Sequence, residues 1–114
     1  MREAPDLLEF ESFFESEPKN VSADGWICGA EFTYIRGEDR IDATLVAVDG
    51  ELSLKWWQAD RLRADVRLAG IVDWAIDSDS SNETLRVKFQ YPNVVFFVIQ
   101  TKPYVSLSWA VQCG

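Results

Sequence analysis

Along Leu85, Val87, Phe89 and Tyr91, apolar residues alternate with Arg86, Lys88 and Gln90. A period of two suits an extended strand with one face buried and the other wet. The same period recurs through most of the chain. Trp26, Cys28, Ala30, Phe32 and Tyr34 alternate with Ile27, Gly29, Glu31 and Thr33 up to the turn-rich Arg36, Gly37, Glu38 and Asp39. Ile41, Ala43, Leu45 and Ala47 then lead to Asp49 and Gly50, after which Leu52, Leu54 and Trp56 resume the pattern. An Asp-Gly pair between two alternating runs predicts a β-hairpin, because both residues tolerate positive φ.

Beyond Gln58, Ala59, Asp60 and Arg61, Val66 and Leu68 keep one phase, and Val72, Trp74 and Ile76 carry a later stretch. Gly70 lies between them, where a glycine in a strand pattern marks a bulge or bend. Asp77 to Asn82 has no apolar residue and reads as an exposed loop. Pro92 and Asn93 predict a turn before Val94 to Ile99, a run that is apolar on both faces. Such a run belongs in an interior strand covered on both sides, since exposed it would aggregate. After a break at Lys102 and Pro103, Val105, Leu107, Trp109 and Val111 alternate with Tyr104, Ser106, Ser108 and Ala110.

About seven strands joined by short turns place the chain in the mainly β class, as an antiparallel sheet folded into a sandwich or open barrel. The gaps leave no room for the crossover helices of a parallel sheet. A length of 114 residues suits a single domain, 1–114, whose acidic segment 1–20 precedes a β body over 26–112. In that first segment Leu7, Phe10 and Phe14 recur at spacings of three and four. They fit one face of a short helix packed on the body, or else an exposed acidic and aromatic arm.

The chain contains no histidine, so neither a Ser-His-Asp nor a Cys-His arrangement can form. Its glycines match neither nucleotide-binding fingerprint. Cys28 and Cys113, the only two thiols, read as separate small hydrophobes and cannot supply a closed zinc site. Asp77, Asp79 and Glu83 lack the spacing and central glycine of a calcium-binding EF-hand loop. Carboxylate pairs such as Asp60 with Asp65 or Asp73 with Asp77 read as solvated acids. No metal, cofactor or catalytic residue is expected, and the chain reads as a binder.

Nineteen acids face eleven bases, a net charge of −8. Residues 1–17 hold six of those acids against Arg2 alone. This excess disfavours nucleic acid and the anionic membrane surface, and it suits a cationic protein partner. The longest unbroken apolar run, Val94 to Ile99, is far short of the roughly 20 residues that a spanning helix needs. With no signal-like N-terminus, the chain is expected in the cytoplasm. Trp56 and Trp57 must point to opposite faces of one strand, so one of them is a candidate anchor for a partner.

The stretch from Ala64 to Trp74, then Leu85 to Phe89, then the apolar hairpin to Trp109, resembles small β-rich immunity proteins that accompany bacterial polymorphic toxins. The likeness covers residues 41 to 111 and concerns pattern more than identity. It implies a non-enzymatic protein that binds and neutralises one toxin domain, with acidity suited to a basic toxin such as a nuclease. No motif of that family carries over residue by residue, so the expected partner-binding residues come from composition: Glu9, Glu11, Phe13, Glu15, Glu17, Trp57 and Asp60. Two other readings remain: a small β-barrel module for an apolar ligand, and an assembly protein that oligomerises.

Overall fold

The computed structural model describes residues 5–90 and 93–111. It is mainly β, with one short helix, α1 (Leu7–Phe14), ahead of eight strands. These are β1 (Ala30–Arg36), β2 (Asp39–Val46), β3 (Glu51–Gln58), β4 (Arg61–Leu68), β5 (Ile71–Ser78), β6 (Glu83–Phe89), β7 (Val95–Lys102) and β8 (Ser106–Val111). They form two antiparallel sheets, ordered β1-β2-β3-β4 and β5-β6-β7-β8, each a meander with two open edges. By packing, the chain groups into two units, one of Phe14–Gly70 and the other of the segments up to Phe13 and from Ile71.

In the unit of β1 to β4, Phe32, Tyr34, Ile41, Ala43, Leu45, Leu52 and Leu54 are all buried. They occupy alternate positions, so one face of the sheet is a continuous apolar layer. Phe14 belongs to the same layer and stacks on Phe32 with centroids 5.1 Å apart. In the other unit the buried set is Trp74, Leu85, Val87, Phe97 and Ile99, and Phe10 meets Trp74 edge-on at 6.1 Å. The aromatic face of α1 is thus spent on packing. Its start is fixed by a reciprocal capping box, in which Glu9 N donates to Asp6 Oδ1 at 2.9 Å and Asp6 N to Glu9 Oε1 at 3.4 Å.

Several sequence expectations change in detail. Trp26–Cys28 forms a short 3-10 turn rather than the start of a strand, entered through Gly25 at φ 110°. The Asp49-Gly50 hairpin is present, but its loop runs over four residues. Ala47–Asp49 makes a 3-10 turn and only Gly50, in the left-handed region, has positive φ. Gly70 is more than a bend within one strand: at φ 83° it separates β4 from β5, which lie in different sheets. This division gives eight strands where about seven were expected.

Val72 and Trp74 do not share a face, because the register slips between Ile71 and Asp73. Trp74 is buried while Val72 is 56% exposed. β7 is interior to its sheet, as its apolar run required, yet its two faces differ. Phe97, Ile99 and Thr101 are buried, whereas Phe96 and Val98 are half-buried. The Arg86 guanidinium lies 5.2 Å from the Phe96 centroid, so a cation and its alkyl stem do part of the covering. Cys28 is a half-buried free thiol. Cys113, Tyr91 and Pro92 lie outside the described residues.

Candidate interaction surface

The second face of the β1–β4 sheet is polar, and its registers set out three transverse rows. The first runs Glu31, Thr44, Ser53 and Arg67, and the second Thr33, Asp42, Lys55 and Asp65. These rows floor a trough of about 640 Å³. Their charges alternate in sign: Lys55 stands in register between Asp42 and Asp65, while Asp42 also takes Arg40 Nε at 3.2 Å and the Thr33 hydroxyl at 3.1 Å. A floor so nearly balanced has little net pull on an ion.

The third row is different in kind. It runs Ile35, Arg40, Trp57 and Leu62. Ile35 is 67% exposed and Leu62 47%, with Trp57 half-buried between them. A bulge brings Leu62 into this row: Trp56 pairs with Ala64 and Trp57 with Leu62, leaving Arg63 as the extra residue on β4. Trp56 turns to the opposite face, where its indole N–H donates to Asp39 Oδ1 at 3.0 Å, shared with Gln58 Nε2 at 3.2 Å. The two adjacent tryptophans thus divide between faces as the alternation demands.

Two hairpin tips close the end of this row. Gly37 (φ 60°) and Glu38 join β1 to β2, and Ala59 (φ 49°) with Asp60 (φ 63°) joins β3 to β4. Positive φ at both central residues is the signature of a type I′ turn, made here without glycine. Ala59 N donates to the Glu38 carbonyl at 3.0 Å, tying one tip to the other. Glu38, Arg40, Asp42, Trp57 and Asp60 line a cleft of about 300 Å³ under the joined tips. Glu38 and Asp60 are exposed, and neither carboxylate has an ion-pair or hydrogen-bond partner among the described residues. Asp39, by contrast, is occupied on the other face.

Of the residues expected to meet a partner, the structure brings Trp57 and Asp60 together in this cleft. Its lining does not include Glu9, Glu11, Phe13, Glu15 or Glu17. Phe13 is fully buried, so its ring packs instead of facing outward. Glu9 is engaged in the helix cap, Glu11 is half-buried, and Glu15 and Glu17 are exposed just beyond the helix. Sequence reasoning missed Glu38, Arg40, Ile35 and Leu62. Their signal was the pair of two-residue turns at the same end of a meander, which counts Ile35, Arg40 and Trp57 into one row.

Two acids of the other sheet are engaged locally. Asp79 accepts the backbone N–H groups of Ser81 and Asn82, and those bonds hold its carboxyl below the ordinary carboxylate value. Glu83 is buried, accepting Lys102 Nζ at 3.0 Å and the Ser78 hydroxyl at 2.9 Å. Among the described residues no helix is long and apolar enough to cross a membrane.

Fold and surface together define a small antiparallel β protein with an aromatic and acidic cleft at one sheet end. A solved structure of the same fold is a contact-dependent growth inhibition toxin–immunity protein complex from Klebsiella pneumoniae 342. A chain of that complex superposes with a TM-score of 0.80 at 17% identity, over 96% of this chain and 96% of that one. The expected likeness to small β-rich immunity proteins is therefore met at the level of fold. No protein-family model matches the sequence, and no curated protein matches it.

Proposed function

We propose that this chain is a non-catalytic, immunity-type protein of the bacterial cytoplasm that binds and neutralises a cationic protein toxin domain. The observation that carries the reading is the near-complete fold match to a chain of a toxin–immunity complex. The cleft under the tips supports it with chemistry. A lysine or arginine of the toxin would lie over the Trp57 ring, within about 6 Å of its centroid, and meet the open carboxylates of Glu38 and Asp60. The strands form two open sheets rather than a closed barrel, so a barrel-bound apolar ligand gains no support.

The test is co-expression with a cationic toxin domain, sought first in the gene adjoining this chain's own. Cells should survive only when both are made, and the two should form a one-to-one complex whose association slows as salt rises. Trp57→Ala, and separately Glu38→Gln with Asp60→Asn, should each weaken the complex at least about tenfold. Cells killed equally with and without the chain, and no complex on mixing, would overturn the proposal.

A further inference from the structure

The two sheets have four edge strands, and three carry a device that blocks pairing with another strand. Along β1, residues 16–19 cover the edge: Lys19 and Glu31 exchange backbone bonds at 2.7 and 2.9 Å, and Thr33 N donates to Ser16 Oγ at 3.3 Å. β4 has the bulge at Arg63 and four charged side chains, Arg61, Arg63, Asp65 and Arg67. β5 slips register between Ile71 and Asp73 and carries Asp73 and Asp77. Bulges and charges on edge strands are the usual protection against edge-to-edge pairing.

β8 has none of these. Ser106–Val111 is free of charge and proline, and it pairs with β7 in unbroken register from Val95↔Val111 to Gln100↔Ser106. Ser108 and Ala110 are exposed on one face, and Trp109 is 58% exposed on the other, with its ring 4.8 Å from Phe97 and 5.9 Å from Phe89. Among the described residues no strand lies beyond it. A straight, uncharged edge bearing an anchored tryptophan is a template for one more strand.

We propose that the β8 edge is a self-association surface, on which β8 of a second copy pairs antiparallel about a two-fold axis. Two sheets of four strands would become one of eight. Charge selects this occupant. A cationic partner gains nothing at an edge without carboxylates, whereas a second β8 presents an equally neutral strand. Within the strands of this sheet the acids sit away from the seam. Asp73 and Asp77 lie on β5, three strand spacings away or about 14 Å, against a screening length of about 8 Å at physiological salt. Glu83 is already neutralised by Lys102.

Sedimentation equilibrium of the whole chain tests this without any toxin. From about 10 µM to about 1 mM, the range in which a small interface associates, the mean mass should rise from 13.0 kDa toward twice that value. Added salt should not weaken the rise, since it screens the repulsion of two like-charged copies, in contrast to the toxin encounter proposed above. Ser108→Lys places like charges across the seam and should weaken association at least about tenfold, and Ala110→Lys on the same face should act alike. Thr44→Lys adds the same charge on an exposed position of interior strand β2 and should have no effect. A mass fixed at 13.0 kDa throughout, or a dimer that Ser108→Lys and Thr44→Lys alter equally, would overturn the proposal.

Discussion

Ala59→Gly should make the protein more stable, although glycine usually loosens a chain. Ala59 sits at φ 49°, in the left-handed region, on an exposed hairpin tip. An alanine there costs roughly 1–2 kcal/mol through the clash of its Cβ with the following carbonyl, a clash glycine lacks. Against that gain stands the greater freedom that glycine restores to the unfolded chain, roughly 0.5–1 kcal/mol. The bond from residue 59 N to the Glu38 carbonyl uses only backbone and survives the exchange. The net gain is roughly 0.5–1 kcal/mol. For a chain of 114 residues that is a rise of about 2–4 °C in Tm. Differential scanning calorimetry of Ala59→Gly beside Ala69→Gly supplies the control, since Ala69 is exposed but has no positive φ. The first should rise and the second fall by a similar amount. Both falling together would refute strain at the tip as the reason.

Three further outcomes follow from other parts of the molecule. At Gly70 (φ 83°) an added Cβ would meet nothing within 4 Å, so Gly70→Ala should cost about 1 kcal/mol from backbone conformation alone, read as a lower midpoint in urea. Glu83→Ala removes one partner from both Lys102 and Ser78 at a buried site, and because Lys102 is one-third exposed the loss should be about 1–3 kcal/mol, measured by thermal melting. Asp79 has a carboxyl pKa lowered by the Ser81 and Asn82 amides, so its contribution is complete above the ordinary value of 3.8 and lost as pH falls through the lower folded value. The Tm gap between wild type and Asp79→Ala should therefore be constant from neutrality to about pH 4 and close only in stronger acid.

How much of the surface could be read in the sequence depends on the distance over which each signal acts. The strands were legible wherever alternation was long, as in β1, β2, β3 and β6, because the period of two is a property of neighbouring residues. It failed at Val72 and at Trp26 for local reasons that leave little mark on composition: a one-residue slip in pairing and a 3-10 turn entered through Gly25. Trp57 and Asp60 were picked out by residue type and by their place beside a turn. Phe13 was misplaced because acids flanking an aromatic look alike whether the ring is exposed or, as here, buried.

From its sequence alone this chain was bound to be an acidic, antiparallel β protein without histidine chemistry. Apolar alternation, turn residues and side-chain inventory are all written locally. Which carboxylates remained open was decided only in three dimensions. Asp39 and Glu38 are adjacent in sequence, yet Asp39 turns to one face to hold Trp56 and Gln58 while Glu38 stays free beside Trp57 and Asp60. The same holds for the edges. Nothing within Ser106–Val111 announces that, among the described residues, it is the last strand of its sheet, because being last is a relation among strands, fixed by pairings between distant residues.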